Sequence, residues 1–166
     1  DFRSYERAFQ MMTQVAGRAG RSVSGEENRV GKVVLQVHDA SQSTVQQVVR
    51  ADYNAMFAEQ MEERKLFNYP PLCRLVYVYM KHRDENVLEH LADELAKILR
   101  MIFAHRVLGP DMPAVARVQT MYIRKVCLKI ELEANMAEVR KRLRELQTYL
   151  LAKQEYKSAV MYYDVD

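Results

Sequence analysis

Apolar residues near the start of the chain fall at Tyr5, Phe9, Met12 and Ala16. Spacings of four and three put them on one side of a helix over residues 3–16. A polar, glycine-containing stretch runs from Ser22 to Gly31, and then the pattern changes. KVVLQVH, residues 32–38, is rich in β-branched residues and predicts a buried strand. DASQS follows as a turn and an N-cap for a short helix over 44–50. From Asp52 the helical period returns, with Met56, Phe57, Met61 and Leu66 inward and Glu59, Glu62, Glu63, Arg64 and Lys65 on a solvated face. Asn68-Tyr69-Pro70-Pro71 ends it. Pro70 disfavours helical geometry at Tyr69, and neither proline can donate a backbone hydrogen bond. This is the best candidate domain boundary.

A compact alternation follows. Residues 72–81 read as a strand, and Asp84 caps a helix to about Phe103 with Val87, Leu88, Leu91, Leu95, Ile98, Leu99 and Ile102 as its stripe. Leu108 to Pro113 is a turn-rich connection. Residues 114–118 and 121–133 read as two strands joined near Gln119-Thr120. In the second, Tyr122, Val126, Leu128, Ile130 and Leu132 share one face, opposite Lys125, Cys127, Lys129 and Glu131. Asn135 caps a helix to about Lys153 with Met136, Val139, Leu143, Leu146 and Leu150 inward, and residues 158–165 form a last strand. The order β-α-β-β-α-β predicts an α+β, ferredoxin-like domain over 72–166, a sheet with two helices on one face.

Composition narrows the reading. The 166 residues are 49% hydrophobic and 28% charged, enough for one ordinary core or a small domain with an appendage. No apolar run approaches the roughly 18 residues that suggest a membrane span, and no signal peptide is visible. Cys73 and Cys127 lie far apart in apolar contexts without metal-ligand spacing, which fits buried free thiols and a cytoplasmic protein. The four histidines form no ligand pattern, so no metal site is expected. A net charge of +3 permits an acidic partner such as nucleic acid without demanding one. Tyr77, Tyr79, Tyr162 and Tyr163 suit ordinary sheet packing, with base stacking as the alternative. The chain begins with Asp1 on what already reads as a helix, and is expected to be a fragment of a longer protein.

QVAGRAGR, residues 14–21, has two readings. Gly17 and Gly20 end a helix in a surface turn with solvated arginines. Otherwise the glycines open the backbone to a phosphate and the arginines grip it as planar forks. With the preceding DFRSYERAFQMMT, the octamer resembles the last conserved helicase motif, Q-x-x-G-R-x-G-R, of the primosomal protein N′ (PriA) family of superfamily 2 replication-restart DNA helicases. GKVVLQVHD, ERKLFNYPPLCRL, the Leu108-Gly109-Pro110 triplet and the closing YDVD resemble further segments of that family in the same order.

The resemblance implies that residues 1–70 are the end of a second RecA-like helicase lobe with its connector, and 72–166 the family's C-terminal domain. Gln14, Gly17 and Gly20 would then help place the nucleotide, and Arg18 and Arg21 would reach its γ-phosphate as arginine fingers. It implies ATP and magnesium for the full-length protein, zinc in an insertion upstream of these residues, and forked or single-stranded DNA with replication-restart and primosome proteins as partners. Arg117, Arg124, Lys125, Lys129, Arg140, Lys141, Arg142 and Arg144 are the candidate DNA contacts. Arg124 is the odd one, since it falls on the apolar face of its strand and is expected to snorkel to water, with a specific phosphate or carboxylate partner as the alternative. No G-x-x-x-x-G-K-[ST] phosphate loop is present: Gly31-Lys32 lacks the earlier glycine and is followed by Val33. The fragment alone is therefore expected to be inactive as an ATPase. It is also expected to self-associate through residues 1–70, where the stripe with Phe9 and Met12 needs a partner. The competing reading is a stand-alone ferredoxin-like interaction or nucleic-acid-binding module that oligomerises through its N-terminal arm.

Overall fold

The computed structural model describes residues 2–19 and 31–166. The chain divides into two compact units, 1–67 and 68–166. The described part of the first unit holds three helices, α1 (Ser4–Ala16), α2 (Ser43–Val49) and α3 (Tyr53–Phe67). Phe9, Val45 and Met56, one from each helix, are its buried apolar residues. Phe9 meets the ring of Tyr53 at 6.3 Å between centroids. Around this small core the helices are tied by polar contacts. Arg64 of α3 pairs with Glu6 of α1 at 2.5 Å, and Ser43 of α2 donates to Glu59 of α3 at 2.8 Å. Asp52 caps α3 by accepting from the Ala55 amide at 2.9 Å.

This unit departs from the sequence pattern in three ways. Residues 32–38 form no strand, and Val34 is 90% exposed. A strand needs a neighbour for its backbone groups, and the described residues of this unit offer only helices. α3 buries Met56 and Gln60, whereas Phe57 and Leu66 face solvent, so its inward side is rotated from the expected one. The residue before α2 is Gln42, which makes no capping bond; Asp39 instead accepts from the amide and hydroxyl of Ser41 to build the turn.

The second unit is a five-stranded antiparallel sheet with two long helices. Its elements are β1 (Cys73–His82), α4 (Glu85–Phe103), β2 (Val107–Asp111), β3 (Arg117–Val118), β4 (Met121–Glu131), α5 (Met136–Leu151) and β5 (Val160–Val165). The strand order β2-β4-β1-β5, with β3 a two-residue hairpin arm on β4, is the ferredoxin-like arrangement. Both helices start as their sequences dictate. The Asp84 carboxylate accepts from the Asn86 and Val87 amides, and the Asn135 side chain accepts from Ala137 and Glu138. Leu88, Leu91, Leu95 and Leu99 of α4 and Val139, Leu143, Leu146 and Leu150 of α5 join Val76, Val78, Met80, Val126, Leu128 and Ile130 of the central strands in one core.

The second strand of the fold lies where the sequence suggested only turns. Val107 and Leu108 pair with Leu128 and Cys127, and the register then shifts so that Asp111 faces Lys125. Gly109 and Pro110 occupy this bulge at the sheet edge, where a missing amide is tolerated. Gly109 has φ +95°, and an added Cβ would stand 3.1 Å from the Lys125 carbonyl oxygen, so glycine is required here.

Arg124 corrects a second expectation. It lies on the helix-facing side of β4, 7% exposed, and does not reach water. Its Nε donates to Glu89 at 2.7 Å, its Nη2 to Glu85 at 2.8 Å and again to Glu89, and its Nη1 to the Ile123 carbonyl at 3.0 Å. Glu85 and Glu89 stand one helical turn apart on α4, so one guanidinium clamps the first turns of the helix onto the sheet. The hydrogen bonds it donates to Glu89, outweighing desolvation, hold the guanidinium charged more firmly than usual. Arg124→Gln is expected to lower stability by about 1–3 kcal/mol in urea unfolding, because the surviving carboxylates are half exposed and can rehydrate. DNA affinity, measured where both proteins are folded, is expected to be unchanged.

Candidate functional site

The residues expected to carry function fall into one group in the first unit and two in the second. In the first unit, Gln14 lies in the last turn of α1 and Arg18 in the turn just beyond it, both exposed. The amide of Gly17 closes the helix on the Thr13 carbonyl at 2.9 Å. Gly17 itself is in the right-handed region, with φ −67°, and a Cβ there would meet the Thr13 and Gln14 carbonyl oxygens at 3.4 and 3.8 Å, ordinary contact distances. The turn does not require glycine. What the missing side chain leaves is bare backbone beside Arg18. Gly20 and Arg21 lie outside the described residues.

In the second unit, α5 carries a cationic face. Arg140, Lys141 and Arg144 are exposed on it, while Arg142 is paired with Glu138 at 2.9 Å, one turn earlier. Arg140 and Arg144 border a cavity of about 510 Å³ between α5 and the ends of β1 and β5. Its floor is apolar, from Val76, Val139, Leu143 and Val165. Arg74 adds a third guanidinium, positioned by a 2.9 Å bond to the Leu132 carbonyl. The sequence reading missed Arg74. Its signal was the alternation of β1, which puts it on the same side as Val76 and Val78 at the strand's end. Tyr163 closes one wall, donating its hydroxyl to the Leu143 carbonyl at 3.0 Å, and burial pushes that hydroxyl up to about 12. Three guanidiniums over an apolar floor suit an anionic oxygen attached to a less polar body.

Of the remaining candidates, Arg117 lies opposite Tyr122 on the helix-facing side, whereas Lys125 and Lys129 lie on the sheet face away from the helices. Lys125 sits over the ring of Tyr77 at 5.5 Å and Lys129 over Tyr69 at 4.2 Å. Arg117, on the short β3, lies over Tyr122 at 4.8 Å. Lys81 joins the face of Lys125 and Lys129, over Tyr162 at 4.7 Å, and the sequence reading did not single it out. The cysteines are not reactive groups. Burial pushes the Cys127 thiol up to about 11 and raises Cys73, whose thiol donates to the Asn68 carbonyl at 3.1 Å. Among the described residues no three His, Cys, Asp or Glu side chains converge to hold a metal, and no helix is long and apolar enough to cross a membrane.

Comparison with known proteins bears on both units. The family model described as the primosomal protein N C-terminal domain matches residues 65–166, more than half of the chain. The replication restart protein PriA of Bacillus subtilis is 29% identical over 147 residues, covering 87% of this chain and 18% of that protein. The protein of the same name from Synechocystis is 32% identical, covering 74% of this chain and 14% of its own length. That of Thermotoga maritima is 30% identical, covering 88% of this chain and 19% of its own. The chain thus spans less than a fifth of the length of these relatives. On these matches, it belongs to the PriA family and carries the primosomal protein N C-terminal domain.

Proposed function

We propose that this chain is the C-terminal part of an ATP-dependent DNA helicase that recognises stalled or branched replication forks and restarts replication by assembling a primosome. The observation that carries the reading is the presence in one chain of QVAGRAGR and of the C-terminal domain matched over 65–166. The relatives named as replication restart proteins support it.

The first unit's part follows from Arg18. Its guanidinium is exposed at a helix end and makes no ion pair among the described residues, so it is available to a phosphate held elsewhere in the whole protein. ATP supplies the phosphoryl group whose transfer drives the motor. Arg18, with Arg21 three residues on, places positive charge against the phosphoryl oxygens as they gain charge, and Gln14 orients the nucleotide from the preceding turn. The chain's residues do not suffice to hold ATP and magnesium, since the sequence has no phosphate loop. Nor do they fit zinc: the two cysteines are packed on the sheet. In the second unit, Arg140, Lys141 and Arg144 on one helix face take successive phosphates, with Arg117, Lys125 and Lys129 as further contacts.

A second proposal concerns self-association. Phe9 is already covered within the first unit, while Tyr5 of the same stripe stays exposed and Met12 half-buried. Exposed apolar side chains remain on both helices: Met11 and Val15 on α1, one turn apart, and Phe57 and Leu66 on opposite sides of α3, all more than half exposed. A second copy of the chain is the proposed cover.

Three outcomes are expected. Binding of the chain to a forked duplex, titrated with salt, should weaken steeply. Arg140→Glu with Arg144→Glu should reduce the log–log salt slope by about two, at about 0.9 per lost phosphate contact; an unchanged slope removes α5 from the interface. The chain alone should hydrolyse no ATP, and Arg18→Ala in the full-length protein should slow ATP turnover about 10³-fold or more while leaving DNA affinity intact. Sedimentation of the chain at micromolar concentration should give a dimer, converted to monomer by Met11→Lys with Val15→Lys.

A further inference from the structure

We propose that the sheet face away from the helices is a track for single-stranded DNA, on which bases stack against Tyr79 and Tyr162 while Lys81 and Lys125 hold the flanking phosphates. The proposal rests on the DNA-binding reading above and names a site and a strand form that it leaves open.

The register builds the track. Tyr79 of β1 faces Tyr162 of β5 on one side and Lys125 of β4 on the other, so the three residues lie in one row across three strands. Tyr79 and Tyr162 stack at 5.1 Å between centroids, 10° from parallel, and Tyr77 continues the line at 6.2 Å. Lys81 and Lys125 make no ion pair among the described residues. Their ammoniums rest instead on the rings of Tyr162 and Tyr77, at 4.7 and 5.5 Å. A lysine parked on a ring is easily exchanged. An exposed cation–π contact is weaker than the stacking of a base on an aromatic ring, and the displaced ammonium swings to the phosphate that arrives with that base.

Charge completes the argument. The lysines occupy the two central strands, Lys81 on β1 and Lys125 and Lys129 on β4. Asp164 of β5, opposite Tyr77, and Asp111 of β2, opposite Lys125, stand on the two edge strands, while Glu131 at the end of β4 is paired with Arg106 at 2.6 Å. A positive strip bordered by negative edges favours a single phosphate chain running along the strands. It disfavours a duplex laid across them, whose second backbone would meet the aspartates. Stacking also requires unpaired bases, which a duplex does not offer.

The test uses the whole chain and fluorescence anisotropy with a labelled dT20 strand, a dT20 RNA counterpart and a blunt duplex. Wild type is expected to prefer the single strands. Tyr79→Leu with Tyr162→Leu should weaken dT20 binding about tenfold or more, whereas Tyr79→Phe with Tyr162→Phe, which keeps both rings, should hold it within about twofold. Similar affinity for the RNA strand supports the track, because ring faces read bases and not the 2′-hydroxyl. If the leucine variant fails to fold, photocrosslinking of wild type to 4-thiothymidine dT20 decides: adducts on the peptides with Tyr79 or Tyr162 support the proposal, and adducts confined to α5 overturn it. Duplex binding that depends on Arg140 and Arg144, with dT20 binding indifferent to the tyrosines, overturns the track but leaves the DNA-binding reading standing. Absence of binding to every nucleic acid at low salt overturns both.

Discussion

The burial of one leucine-lined face of α4 against the central strands β1 and β4 sets the conditions for everything else in the second unit. Leu88, Leu91, Leu95 and Leu99 are essentially inaccessible, each contributing about 1.5–3 kcal/mol by leaving water. Ala92 and Ala96, also fully buried, keep this face of the helix narrow and let its backbone approach the sheet. Because both helices lie on the same side, alternate residues of β1 and β4 must be apolar over most of their length, and charge is driven to the strand ends. Arg74 and Arg124 are the two such ends, and the surroundings separate their fates. Arg124 meets two carboxylates one turn apart and becomes a clamp, while Arg74 meets a carbonyl and the mouth of a cavity.

One-sided packing also divides the surface chemistry. α5 shows guanidiniums to solvent, suited to contacting phosphate oxygens two at a time. The open side of the sheet shows ammoniums interleaved with phenol rings. These are different ways of meeting a polyanion, one by charge and fork geometry and the other by ring faces, and a single sheet carries both.

Much of this was legible in the sequence, for identifiable reasons. Periodicity and caps fixed α1, α4, α5, β1 and β4, because long amphipathic segments leave little freedom. β2 was hidden because Gly109-Pro110 is a turn signal when read locally; it is a bulge only because β4 supplies a partner on the far side of the chain's fold. Residues 32–38 failed in the opposite sense: their strand propensity is real, but no strand pairs with them among the described residues. Arg124 could be seen to face the helices, and its partners could not, since Glu85 and Glu89 looked like any solvated first turn. Of the site, the cationic face of α5 was readable as a charge run at helical spacing. Arg74 and Lys81 emerge only once strand register places them beside a cavity and a ring.

β5 carries a consequence of its own. Neighbouring side chains on a strand point to opposite sides, so Tyr162 faces the open side of the sheet while Tyr163 is fastened under α5 through the Leu143 carbonyl. The Gln147 side chain adds a second tie from α5, to the Met161 carbonyl at 3.2 Å. A pull applied at the ring of Tyr162 is therefore transmitted through a single peptide unit to the helix behind it. The open face and the α5 side point away from each other, and β5 holds the distance between them fixed.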